Sequence, residues 1–424
     1  MNVVSASDKT ALAGMLDAGW IAPQTVVREV AELIAEVRTR GDAAVLEFAR
    51  RFDDESFDLS RLRAPIPMLE SARGLVPSEI GAALELAKER IARFHRRQRL
   101  PDIAFVEEDG SRYAVQRRPL GSVAIYVRQG GAGSAVLMGA VPAKIAGVGR
   151  VAVFSPVGRD GIPPSLLFAC ALCGVDELYA VGGAQAIAAA AFGTESIAPV
   201  EKVVGRGGIW TTEAKRQVFG RCGVDALAGP AEVLVLADDG ANSEYVVGEL
   251  LALAERPGVT RLAVLSESRP LLEAVAQLID TLDLGTPQQG ELGNAIATYC
   301  RLIAASTRDE LFDVLNRFAP AYLSLQVRDA SAYLDRVFAA GTVFVGDLTP
   351  LVTGEYLAGT NHVVPTSGTA RFASSLSLEE FTRSFSVVEN SPERIASDAP
   401  LLALLAEFEG LPQHAQTARM RYGS

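Results

Sequence analysis

From residue 122 onward the sequence alternates short β-branched runs with alanine- and leucine-rich segments of helical period, and this alternation limits the possible folds more than any other feature. "SVAIYV", "RVAVFSPV" and "ELYAV" are separated by "SAVLMGAVPAKIAG" and "PSLLFACALCG", with "AQAIAAAAFG" following. The same syntax returns in "AEVLVLAD", "SEYVVGELLALAER", "RLAVLS", "PLLEAVAQLID", "RLIAAS", "AYLSLQV" and "GTVFVG". Strands that are apolar throughout, joined by helical crossovers, form parallel sheets covered on both faces. The pattern predicts two α/β units. Residues 22 to 97 read as mostly helical, with "VVREVAELIAEVRTRGDAAVLEFARRF" the clearest amphipathic stretch. After residue 377, "SLEEFTRSF" and "APLLALLAEFEGL" read as a helical tail.

Several function classes are excluded on charge and hydropathy. Forty basic against fifty-one acidic residues give a net charge of −11, which opposes any sequence-independent attraction to nucleic acid. The one dense basic run, "RFHRRQRLP" at 93 to 101 with His95 inside it, is expected to be a solvated helix end. No eighteen apolar residues run together, so a membrane helix is not expected. The opening residues carry no charged segment followed by an apolar run, and four cysteines make no disulfide framework, so a cytoplasmic location is expected. Cys170 and Cys173 form C-x-x-C, but "LLFACALCGV" reads as a buried helix ending at Gly174, with no second pair to complete a zinc site.

In parallel sheets, ligands bind beyond the carboxyl ends of the strands. The usual nucleotide fingerprints, G-x-G-x-x-G after a strand or G-x-x-x-x-G-K-[ST], are missing. Instead, "ELYAV" leads through Gly182, Gly183 and Ala184 to Gln185 and a helix, which is either an anion cradle at a helix start or a plain tight turn. The stretch "GEYLAGTNHVVPTSG", punctuated by Gly354, Gly359, Pro365 and Gly368, places His362 on a loop, either in a functional site or in a polar turn.

Taken together, "VGGAQAIAAAAFGTESI" (181 to 197), "TEAKRQV" (212 to 218), "AGPAEVLVLAD" (228 to 238), "GTNHVVPTSG", "RIARFHRRQ" (90 to 98) and "SVAIYV" resemble the histidinol dehydrogenase family over nearly the whole chain. The resemblance implies an α/β fold of two incomplete Rossmann-like domains, one inserted in the other, with helical N- and C-terminal arms. It implies an N-terminal arm over 1–21, a discontinuous first α/β domain over 22–125 and 232–376, an inserted domain over 126–231, and a C-terminal dimerisation arm over 377–424. It further implies an intertwined homodimer and NAD-dependent oxidation of a small-molecule alcohol through an aldehyde, with zinc bound in the family.

The positions that match the family's active site depart from its pattern. Where the family has Pro-Glu-His-Leu, this chain has Pro320, Ala321, Tyr322 and Leu323, so the carboxylate and the imidazole are both absent. Oxidation of an alcohol needs a group to take the hydroxyl proton. Ala321 has none, and Tyr322, a candidate catalytic residue, has a reference pKa of about 10. The family's Gln-Ala-Glu-His segment is Leu253, Ala254, Glu255 and Arg256 here; Glu355 matches an aspartate ligand, and His414 matches a histidine supplied by the partner subunit. Two ligands are too few for a closed zinc site, so zinc is not expected.

His362 and Glu409 match substrate contacts, Ala231 replaces a serine, Tyr126 and Gln185 match cofactor contacts, and Gly208 stands where the family has asparagine. The carry-over thus assigns Tyr322 and His362 to catalysis. It assigns His362, Glu409, Arg256, Glu355 and His414 to substrate, and Tyr126, Gln185 and Gly208 to NAD. Arg256 and Glu355 converge where the family holds its metal, and an ion pair between them is expected beside a dry wall formed by Leu253. Three readings follow: a zinc-free NAD-dependent oxidoreductase acting on something other than histidinol, a non-catalytic ligand-binding or regulatory homologue, and an ordinary histidinol dehydrogenase.

Overall fold

The computed structural model describes residues 1–421 except Asp17, Ala18, Trp20, 129–132, Ala228, Pro230, Ala231, Pro257, Val259, Thr260 and 283–286. Ala231 and most of the loop after Arg128 therefore lie outside the described residues. Two parallel sheets form the larger of two units, Met1–Gln98 with Leu120–Phe381. The first sheet runs Glu177–Tyr179, Arg150–Phe154, Ser122–Tyr126, Lys202–Val204, Gly223–Val224, with Ser122 opposite Arg150 and Val123 opposite Lys202. The second runs Val3–Ser5, Cys300–Ala304, Arg261–Ser266, Glu232–Ala237, Tyr322–Gln326, Thr342–Val345. All six residues of Glu232–Ala237 and of Arg261–Ser266 are buried, as the uninterrupted apolar runs require of strands covered on both faces. In each sheet the chain first winds outward in one direction and then crosses to the other side of its starting strand. In the first sheet this switch point lies between Ser122–Tyr126 and Lys202–Val204.

Helices Gln24–Arg40 and Asp42–Phe52 bury Val30, Val37 and Ala44 in one core with Ala124, Tyr126 and Ala188. Ile91 of helix Ser78–Arg96 is buried with Val123 and Ile125. Residues 24 to 96 thus clothe the first sheet rather than the second. Part of the expected N-terminal arm is an edge strand, Val3 pairing with Leu302 in the second sheet. His95 also departs from expectation. Its helix ends among exposed arginines, but the imidazole is fully buried with Nδ1 2.7 Å from Gln98 Oε1, because the helix turns this position toward the core. Cys170 and Cys173 are free and buried on helix Pro164–Cys173, which closes on a left-handed Gly174, and burial pushes the Cys173 thiol up to about 12.

The smaller unit, Arg99–Pro119 with Thr382–Ser424, has its own antiparallel sheet. Here the expected helical tail is corrected. Thr382–Glu389 is a strand that pairs along its whole length with Arg112–Pro119, and Ile103–Val106 pairs on the far side. The stretch is rich in β-branched and aromatic residues, and a partner some 270 positions upstream decides its state. Helices Pro392–Phe408 and Pro412–Arg419 follow, burying Ala403, Ala415 and Ala418 between them. Leu401, Leu404, Leu405 and Phe408 stay exposed on the first of these helices.

Candidate active site

A carboxylate ringed by cations forms the centre. Glu355 lies on the short helix Val352–Tyr356, whose start is fixed by Leu351 N–H donating to both oxygens of the buried Glu249 at 3.2 and 3.0 Å. The Tyr322 hydroxyl, at the first residue of its strand, donates to Glu355 Oε1 at 2.5 Å. The Arg256 guanidinium bonds Oε2, so the ion pair expected from the sequence is present, and Leu253, on helix Ser243–Ala254 that ends two residues before Arg256, is fully buried. Arg206 Nη1 stands 3.6 Å from Oε1, and His362 Nδ1 stands 3.3 Å from Oε2 without an aligned hydrogen bond.

These contacts set the protonation states. Burial would raise the Glu355 pKa, but His362, Arg206 and Arg256 together outweigh it and hold the carboxyl well below the usual carboxylate range. Burial lowers His362, outweighing the Glu355 charge, so its imidazole is neutral at pH 7 and can accept a proton. Burial and the adjacent Glu355 charge push the Tyr322 phenol up, so it remains a donor to Glu355 and is unsuited to act as a base. One carboxylate, two guanidiniums and two neutral groups leave the cluster with one net positive charge.

The loop carrying His362 owes its path to close packing. Gly359 has φ +89, and a Cβ there would come within 2.6 Å of the Arg90 carbonyl oxygen. Asn361 donates to the Met138 carbonyl at 2.6 Å and accepts from Val363 N at 2.9 Å, fixing the backbone on either side of His362.

The carboxyl ends of the first sheet supply the facing wall. Tyr126 closes its strand, with its hydroxyl accepting from Gly183 N at 3.1 Å. Gln185 is buried and donates to Asp53 at 3.4 Å. Gly208 opens helix Ile209–Val218, and Gly182 opens helix Gly183–Phe192, neither with a side-chain cap. The start of helix Ile209–Val218, which follows Lys202–Val204 at the switch point, is suited to an anionic group.

Glu409 and His414 lie in the smaller unit, both exposed, Glu409 just past helix Pro392–Phe408 and His414 on the last helix. Four site residues escape the sequence reading: Arg206, Asp53, Lys215 and Asp225. Arg206 did leave a signal, a lone charge in the glycine turn "GRGG" directly after a strand. Lys215 and Asp225 left none, because they meet only in the folded chain. Lys215 donates to Asp225 and, at 3.0 Å, to the Gly205 carbonyl, while Asp225 accepts from Gly205 N at 2.7 Å. Gly205 (φ +115) approaches Tyr126 so closely that a Cβ would sit 2.3 Å from its carbonyl oxygen. The residue before Arg206 is therefore clamped on both its backbone groups.

Zinc does not fit this donor set. The carboxylate is already taken by a phenol and guanidinium groups, cations cannot ligate a divalent metal, and Leu253 offers none of the donor atoms zinc takes. Among the described residues no three His, Cys, Asp or Glu side chains converge as a metal site.

Comparison with known proteins settles the family. The family model described as "Histidinol dehydrogenase" matches residues 21–422. The chain belongs to the histidinol dehydrogenase family. Within this family of NAD-dependent oxidoreductases it is 39% identical over 399 residues to the histidinol dehydrogenase of Listeria monocytogenes serotype 4b (strain F2365), covering 94% of this chain and 93% of that one. It is 40% identical over 400 residues to the histidinol dehydrogenase of a Synechococcus strain, covering 93% and 92%. The crystal structure of histidinol dehydrogenase from Elizabethkingia anophelis superposes with a TM-score of 0.90 at 27% identity, covering 99% of this chain and 97% of that one.

Proposed function

We propose that this member of the histidinol dehydrogenase family is a zinc-free NAD-dependent oxidoreductase acting on a small alcohol or aldehyde other than L-histidinol. The observation that carries this reading is the ring of Arg256, Arg206 and Tyr322 around Glu355. A guanidinium supplies positive charge where a carbonyl oxygen develops negative charge, the task a metal performs as a Lewis acid. Tyr126, Gln185 and Gly208 would hold NAD, which when bound accepts the hydride. His362 takes the hydroxyl proton as the substrate C–H bond breaks. The products are a carbonyl compound, NADH and one proton, which leaves His362 for solvent. A cationic amino alcohol such as histidinol would meet two guanidiniums, which disfavours it.

The test is NAD reduction with L-histidinol beside a panel of small alcohols, together with thermal shift by NAD and NADP. NAD should raise the melting temperature, since it binds only the folded state. L-Histidinol oxidation should fall short of ordinary enzyme rates by about 10²–10⁴-fold, the usual cost of a lost positioned base. Turnover of L-histidinol at ordinary rates would overturn the reading. The absence of a carboxylate at Ala321 favours a second reading, a ligand-binding homologue without turnover. Under that reading NAD or a small molecule shifts the melting temperature and no alcohol in the panel is oxidised.

The same proposal includes a homodimer built through the exposed leucines and Phe408 of helix Pro392–Phe408, an apolar face larger than scattered surface residues explain. Light scattering at micromolar protein should give twice the chain mass. A monomer there counts against it.

A further inference from the structure

We infer that Arg206 forms an anion subsite selecting a small alcohol that carries a carboxylate. The inference rests on the oxidoreductase reading only for the reacting hydroxyl; the subsite itself is a matter of binding. The Arg206 side chain is 14% exposed, and its Nη1 is committed, donating to the His362 carbonyl at 3.2 Å and lying 3.5 Å from the Tyr322 hydroxyl. Among the described residues, neither Nε nor Nη2 has a hydrogen-bond partner. These two groups form one edge of the guanidinium fork, the geometry that takes both oxygens of a carboxylate in parallel.

Three further features support this assignment. The cluster has one positive charge more than Glu355 neutralises, so an anionic ligand balances it and a neutral one leaves a partly buried cation uncompensated. Space exists beside the turn, where a Cβ on Gly208 would meet nothing within 4 Å. The turn is also rigid at its base, since Lys215 and Asp225 hold both backbone groups of Gly205, so little ordering is left for the ligand to impose. With the carboxylate on Arg206, a neighbouring hydroxyl faces His362, whose carbonyl anchors the same guanidinium. The substrate class is thus a short hydroxy acid.

The experiment is calorimetric titration of the full chain with malonate, a carboxylate that cannot be oxidised, and with uncharged propane-1,3-diol, for wild type, Arg206→Met and Arg206→Gln. Malonate should bind wild type and the diol should not. Both variants should lose about tenfold to a hundredfold in malonate affinity, the range of one charge-assisted bidentate contact, while their NAD affinity stays at the wild-type value and shows them folded. Arg206→Gln keeps a donor for the His362 carbonyl and serves if Arg206→Met does not fold. Equal malonate affinity in wild type and variants, no malonate binding to wild type, or variants that lose NAD and keep malonate would each overturn the subsite. Arg206-dependent malonate binding with no alcohol oxidised would remove the oxidoreductase reading and leave the subsite standing.

Discussion

Replacing Glu355 by alanine should destabilise the protein by about 3–5 kcal/mol, the usual effect of removing one partner from a buried ion pair. The carboxylate is 3% exposed and, among the described residues, is the only negative charge in contact with Arg206, Arg256 and the Tyr322 hydroxyl. Without it, two guanidiniums are left uncompensated and a buried phenol keeps only the more distant His362 carbonyl, at 3.3 Å, as acceptor. Urea unfolding reads the loss directly, as a lower midpoint at unchanged slope. The pH dependence has a definite sign. Because the folded-state pKa of Glu355 is depressed, its contribution is fully present above the unfolded carboxylate value of about 4.3 and is lost as pH falls below that through the folded value. The wild type should therefore lose stability in this acid window more steeply than Glu355→Ala. A Glu355→Ala variant with the wild-type midpoint would show that the cluster has no structural role.

Replacing His362 by asparagine should lower turnover of the alcohol found in the panel by about 10²–10⁴-fold and leave NAD affinity intact. Asparagine retains a polar group of similar reach but cannot take a proton. Burial keeps the His362 pKa below the ordinary histidine value, so the wild-type rate should be flat through neutral pH and decline only on the acid side of the usual range, where the imidazole protonates. That acid limb should vanish from the residual activity of the variant. A His362→Asn enzyme with the wild-type rate would assign the proton to another group.

The longer strands of both parallel sheets are legible in the sequence because they are largely apolar and their crossovers carry helical period, whereas the short strands Val3–Ser5, Lys202–Val204 and Gly223–Val224 are too brief to show a pattern. The strand Thr382–Glu389 is not legible, since its partner Arg112–Pro119 lies far away in the chain and neighbouring helices bias the reading. Solvation of the helix end near His95 is legible for the arginines and not for the imidazole, because one step around a helix separates an exposed position from a buried one. In the site, Arg256 and Glu355 are legible as two opposite charges expected at one place. Arg206 belongs to a turn whose glycines draw attention to backbone conformation, and nothing local shows that its side chain points toward Tyr322. The Lys215–Asp225 clamp joins a helix to a strand end, and no spacing rule connects them.

In the zinc-free reading, Arg256 and Arg206 take the place of a metal beside Glu355. Zinc content decides this most directly, measured by inductively coupled plasma mass spectrometry on protein purified without chelator and then exposed to excess zinc and desalted. Stoichiometric zinc should be absent, and the melting temperature should be the same before and after chelation, because Arg256 and Arg206 already compensate Glu355. One zinc per chain, removed by chelator with a fall in melting temperature, would contradict it.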